Sequence, residues 1–261
     1  MQISKSQNNS SPYASGANEL AAVQGWTEEA ETRTWTFVSA NAAGNTFVVS
    51  VNDDVTSLMR PRMRVRAMQG ADYQYFIVHK VELDVTNTTI TLFGGADYNI
   101  AAGEITDVAW STERFPYGFP DNQDKWTVTY SDNAVRFAGV LTNDTWTNIN
   151  NASVEAPCAG QWEIKYVVIA EVLPNSAPAT MILSVTRSDA NNTSISTWEK
   201  TLEATSSILR LSFSHSDIIN LTDAETYYLN TKYFMSGTTA NYLANGGDIS
   251  PTMIKAVSGY Y

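Results

Sequence analysis

The sequence predicts an all-β protein, with an extended N-terminal arm, a small antiparallel β-barrel or sandwich, and then a jelly-roll β-sandwich. Three observations lead there. Short runs rich in β-branched and aromatic residues recur with period-two patterning along most of the 261 residues. Gly, Asn and Asp clusters separate them, which is turn chemistry. No segment carries a sustained apolar stripe at 3.6 spacing, so helices should be few.

Residues 1–25 read as the arm. Ser, Asn, Gln, Ala and Gly dominate from Ser4 to Gly25, leaving Ile3, Tyr13, Leu20 and Val23 as isolated apolar residues. So little apolar surface cannot offset the entropy of ordering a packed core. Either the segment is a loose terminus, or those four residues are anchors that dock on a neighbour.

Residues 26–120 form the first module. Trp35–Ser39, Thr46–Val51, Met63–Met68, Tyr73–Val85 and Thr88–Phe93 are its predicted strands. Turns at Ala43-Gly44-Asn45, Gln69 to Asp72, Asn87 and Gly94-Gly95 divide them, and Asp53 to Leu58 suggests one helical turn. Arg64 and Arg66 alternate with Met63, Val65 and Ala67, the pattern of a strand with one wet face. Five strands in so short a stretch make a small barrel or sandwich. Arg114-Phe-Pro-Tyr-Gly-Phe-Pro120 closes the module. Its two prolines and glycine forbid a central strand, and its three aromatics predict a connection packed against the module rather than free.

Residues 121–261 form the second domain. Trp126–Tyr130, Ala134–Leu141, Thr145–Ile149, Gln161–Val172, Thr180–Arg187, Ser194–Leu202, Ser207–Ser214, Thr226–Met235 and Thr252–Tyr260 are strand-like. Eight or nine strands is the count of a two-sheet jelly roll.

Charge narrows the function. The net charge is −11, and residues 1–120 and 121–261 are each acidic, so no basic footprint for nucleic acid or an anionic membrane surface is expected. Only 16% of residues are charged, leaving a surface of Asn, Thr, Ser and Gln. Cys158 is the only cysteine, so no intrachain disulfide is expected. No apolar run has the length of a membrane span. The opening Met-Gln-Ile-Ser-Lys lacks a secretory signal, which points to synthesis in a cytoplasm.

Two segments resemble known families. Trp35-Thr-Phe-Val-Ser, Tyr75-Phe-Ile-Val, Thr89 to Tyr98 with its Gly-Gly, Ile105-Thr106 and Pro116-Tyr-Gly-Phe-Pro120 follow the order of a small β module in structural proteins of tailed phages. Ala156-Pro-Cys-Ala-Gly160 running into Gln161-Trp-Glu-Ile-Lys-Tyr resembles the entry into a long strand of C1q/TNF-like jelly rolls, with Trp162 where that family usually has Tyr. Thr226 to Tyr233 and Met253 to Tyr260 fit its late strands. The first resemblance implies a virion protein assembled in a host cytoplasm, with capsid or tail proteins as partners. The second implies a homotrimer, with Trp162, Tyr166, Tyr227, Tyr233 and Tyr260 at its interface. Together they suggest a capsid-attached decoration or head-fibre protein. The alternative is a tail-fibre or receptor-binding protein with a module for host-surface glycan, and behind it a polysaccharide-degrading enzyme.

Catalytic chemistry has little to work with. His79 and His215 are the only histidines, one in each domain and without metal-ligand spacing. The Asp53-Asp54, Asp121 to Asp124 and Asp217 to Asp223 carboxylates read as turn formers; Ca²⁺ at Asp121-Asn-Gln-Asp124 remains an option, though the segment lacks the length and glycine of an EF-hand loop. No Walker loop, nucleophile elbow or zinc-protease motif occurs. The expectation is a non-enzyme without a cofactor.

Overall fold

The structure is a computed structural model. It describes residues 24–30, 32–41, 45–132, 138–140, 147–172, 179–186, 194–202, 209–235, 242–244 and 252–261, with side chains outside 130–151, 168–213 and 231–252. The protein is all-β and antiparallel throughout. It divides into two compact units whose main boundary lies between Asn122 and Gln123, and Asn41–Thr46 groups with the second unit.

The first unit is one seven-stranded sheet: β1 (Thr27–Glu28), β2 (Trp35–Asn41), β3 (Thr46–Val51), β4 (Arg64–Gln69), β5 (Asp72–Asp84), β6 (Asn87–Phe93) and β7 (Thr106–Ser111). Its strand order is β1-β7-β4-β5-β6-β3-β2. A bridge between Thr36 of β2 and Glu104, just before β7, joins opposite ends of that order. The sheet therefore curls on itself into a small barrel, tied together at that bridge. Period two then sets the core. Trp35, Phe47, Val49, Val51, Val65, Ala67, Phe76, Val78, Ile90, Leu92 and Val108, from β2 through β7, meet in one buried cluster. The pair Gly94-Gly95 turns the chain out of β6. A Cβ on Gly94 would lie 2.1 Å from the Tyr98 carbonyl oxygen, so only glycine fits there.

Five of these strands follow the sequence prediction closely. β1 and β7 were not expected: β1 is two residues long, and β7 breaks register with β4 between Arg66 and Met68. The wet face assigned to β4 is corrected. Arg64 and Arg66 are both buried, because chain from far along the sequence covers that face.

The β5–β6 hairpin turns through Val85-Thr86, with Asp84 paired to Asn87. Val85 has φ +57° while Thr86 keeps an ordinary φ, the II′ pattern that takes glycine first. Left-handed backbone costs an L-residue about 1–2 kcal/mol, and Val85 is 89% exposed, with no packing to compensate. Val85→Gly should therefore raise the stability of this unit by about 1 kcal/mol, less the extra chain entropy of glycine. A urea midpoint at or below that of the parent would refute the strain.

The second unit opens with a 3-10 turn at Gln123–Trp126. Its strands are β8 (Thr127–Asp132), β9 (Ala138–Val140), β10 (Thr147–Ala156), β11 (Gly160–Val172), β12 (Ala179–Thr186), β13 (Ser194–Leu202), β14 (Leu209–Leu221), β15 (Glu225–Met235), β16 (Tyr242–Ala244) and β17 (Thr252–Ser258). One sheet runs β10-β15-β12-β13. In the other, β8-β17-β11 continues to β14 on the far side of β11; the short β16 pairs with the C-terminal end of β11, past the stretch that pairs with β17, and β9 pairs with β16. Leaving aside those two short strands, the eight long ones in chain order pair as 1-8-3-6 and 2-7-4-5. That is the jelly-roll path, and it answers the prediction. Trp126, Val154, Trp162, Ile164, Tyr166, Tyr227, Leu229 and Ile254 are buried in this unit.

Candidate functional site

With assembly as the expected activity, the candidate site is the surface each unit can offer a partner. On the barrel it begins where the described chain begins. The Tyr117 N–H donates to the Gln24 carbonyl, and the Trp26 indole N–H donates back to the Tyr117 carbonyl, both at 2.9 Å. Trp26 is buried, and the next residues pair as β1 onto β7. Glu28 bonds the Arg66 guanidinium at 2.8 Å, and that guanidinium lies 5.0 Å from the Trp26 ring and 4.9 Å from Tyr73. Stacking of a guanidinium on aromatic faces adds to the ion pair. Gln24 and Gly25, assigned above to the arm, are thus held on the barrel. Ile3, Tyr13, Leu20 and Val23 lie outside the described residues.

The Pro116–Pro120 segment is held by a second buried arginine. Arg64, 1% exposed, donates from Nε to the Arg114 carbonyl at 3.0 Å and from Nη1 to the Arg62 carbonyl at 2.7 Å. Its guanidinium lies 5.0 Å from the Phe119 ring. Phe119 meets Tyr75 edge to face at 6.1 Å, and Tyr75 in turn meets Tyr98 and Trp26. Burial raises the Tyr75 phenol above its ordinary pKa, so it stays neutral. Gly118, at φ +83°, passes so close to the Tyr75 hydroxyl that a Cβ would lie 3.1 Å from it. The expectation that all three aromatics of this segment pack down is corrected. Phe119 is buried, whereas Phe115 and Tyr117 are exposed, at 45% and 73%.

On the jelly roll the predicted interface aromatics lie mostly inside. Trp162, Tyr166 and Tyr227 are 0–1% exposed in the single chain, so they offer no area to another copy. This corrects the placement implied by the family resemblance. Trp162 donates its indole N–H to the Cys158 carbonyl at 2.9 Å, and the Tyr227 hydroxyl donates to Glu225 at 2.8 Å. Tyr260 is half-buried. Tyr233 pairs with Met181 through the backbone, and its side chain lies outside the described ones. The signal that could have sorted them is parity: Trp162 and Tyr166 share a face with the apolar Ile164. The opposite face carries Glu163, Lys165 and Val167. With Ser214, Ser216, Met253 and Lys255 they line a shallow groove of about 630 Å³. Glu163 and Lys165 form an ion pair at 2.9 Å, Lys255 stands directly across from Lys165, and Ile218 nearby is 68% exposed.

The titratable groups do not assemble a reaction centre among the described residues. His79 is buried against the edge of Phe93. His215 lies 3.4 Å from Asp217 and near the Tyr166 ring. The Tyr166 hydroxyl has no hydrogen-bond partner, and burial, with Asp217 adding to it, pushes its pKa up to about 12. It is a neutral hydroxyl at ordinary pH. No group of three or more His, Cys, Asp or Glu among the described residues is placed to hold a metal. Burial also pushes the Cys158 thiol up to about 12. The thiolate is the reacting form, so native Cys158 should resist alkylation at pH 8 and react once the protein is unfolded. Rapid labelling of the folded protein would contradict this burial.

No family model matches the chain, and no curated protein matches it. Among solved structures, it is similar to the infectious bursal disease virus Gx strain structure, at 11% identity and TM-score 0.37, over 90% of this chain and 55% of that one. The VP2 subviral particle of infectious bursal disease virus follows at 12% and 0.34, over 87% and 56%. The isomalto-dextranase of Arthrobacter globiformis T6, complexed with panose, stands at 9% and 0.23, over 85% and 36%. The chain spans about half the length of the viral chains. Scores of this size carry no argument about shared activity.

Proposed function

We propose that this chain is a non-enzymatic virion structural protein of a tailed phage, trimeric and attached to the capsid as a decoration or head-fibre protein. The observation that carries the reading is architectural. A jelly roll, a fold used for capsid shells among other roles, follows a closed barrel on which the start of the described chain is clamped through Gln24, Trp26 and Glu28. Fold alone does not decide function. Support also comes from the order of motifs from Trp35 to Pro120 and from titratable groups that are scattered or buried.

In this reading residues 1–23 lead from the barrel to a dock on the particle, and the jelly roll meets its copies through the outward face of the sheet. That face offers the apolar Val167, Met253 and exposed Ile218 beside the Glu163–Lys165 ion pair. Sedimentation of the purified chain should give about three times 28.7 kDa. Purified particles should carry the chain at stoichiometric copy number, with its density on the head. A clean monomer at micromolar concentration would remove the trimer; particles lacking the chain would remove the virion role.

A further inference from the structure

Two exposed turns of the barrel unit hold non-glycine residues in left-handed backbone. In Arg60-Pro61-Arg62-Met63 the Met63 N–H donates to the Arg60 carbonyl at 3.3 Å, and Arg62 has φ +83°. Proline second and a positive φ third make a type II turn, whose third position suits glycine. The other turn is Val85 at φ +57°. At both places glycine would relieve the backbone, yet an exposed side chain is kept.

What the two turns present is complementary. Arg62 stands beside Arg114, because the Arg64 guanidinium bonds the carbonyls of both. The Arg114 guanidinium lies 5.1 Å from the Phe115 ring, and Tyr117 follows. All four are exposed. Arginine and aromatic residues are the types that anchor protein interfaces, and the guanidinium fork matches carboxylates. At the hairpin tip Glu82, Leu83, Asp84 and Val85 are exposed, alternating acid with apolar residue. The tip cannot serve its own patch. Arg62 is bonded to Val78, and Val85 lies seven residues farther along the hairpin, about 20 Å at the rise of a strand.

We propose that the β5–β6 hairpin tip of one copy docks on the Arg62–Arg114–Phe115–Tyr117 surface of a second copy. Asp84 meets the arginines, and Leu83 and Val85 pack on Phe115 and Tyr117. The contact is head-to-tail, so its repetition closes a ring or extends a row of copies. It is separate from the jelly-roll face and does not rest on the virion reading.

The test uses two full-length variants, Val85→Cys and Tyr117→Cys, one carrying a mass tag, mixed under mild oxidation. Cys158 is buried and stays silent. The mixed disulfide dimer should exceed its statistical share against the two self-dimers. Adding Arg62→Glu to the Tyr117→Cys chain should lower that yield about tenfold, the scale of coupling between close opposite charges at an interface. Adding Asp84→Arg to the Val85→Cys chain as well should restore it. If a variant failed to fold, Leu83→Cys with Phe115→Cys provides the same reading. A mixed dimer at its statistical share overturns the proposal, as does a yield indifferent to both charge reversals. The readout is independent of whether the jelly rolls form a trimer.

Discussion

Arg64→Ala is expected to lower the stability of the barrel unit by about 2–5 kcal/mol, at about 1–3 kcal/mol for each of two carbonyls left without their donor. The substitution removes the donors that satisfy the Arg62 and Arg114 carbonyls and empties the space over Phe119. It should also free the Pro116–Pro120 segment, making it a site of early proteolysis. Arg64→Met fills most of the space but donates nothing, so it should recover only the packing share and leave the carbonyls unsatisfied. Urea denaturation with limited proteolysis reads both effects. If Arg64→Ala unfolded within 0.5 kcal/mol of the parent, the range of an ordinary surface substitution, the arginine would not be what holds this segment.

Trp162→Ala should destabilise the jelly roll by about 3–5 kcal/mol, as expected for a large aromatic removed from a packed core. It also takes away the donor to the Cys158 carbonyl. The measurement separates two placements of this residue. A tryptophan at a threefold axis would leave a folded monomer when truncated. One inside the protomer, 0% exposed in the single chain, destabilises the fold itself. Denaturation followed alongside sedimentation tells them apart, and a stable, folded monomer would return Trp162 to the interface.

Much of the strand plan is legible in the sequence. Thr46–Val51 and Ser194–Leu202 coincide with β3 and β13, and most other long strands agree to within a few residues. Their β-branched and aromatic content, and the turns between them, are local properties. The single helical turn near Asp53 to Leu58 is present too, with Leu58 and Met59 both bonded to the Val55 carbonyl. β1 and β16 leave no signal in the sequence, for a physical reason. At two and three residues they are too short to show a period, and each exists because a neighbouring strand supplies its hydrogen bonds.

Surfaces were harder to read than strands. Arg64 looked like the wet side of β4 because alternation says only that two faces differ. Its burial depends on Phe119 and the Arg114 carbonyl, some fifty residues away. Trp162 and Tyr166 looked like partners for another copy because aromatics suit interfaces and cores alike. Their parity with Ile164 puts them inside.

The sequence by itself determined that this chain is all-β and where most strands run. Period-two patterning, β-branched content and turn residues act within a few neighbours along the chain, so they survive without a fold. The tertiary structure alone decided that the first sheet closes through Thr36 and Glu104, and that β14 joins the sheet of β11. It also decided that two arginines are buried while Phe115 and Tyr117 are exposed. Those outcomes depend on which distant strand or segment arrives to cover a face, and burial is a property of the arriving partner as much as of the residue covered.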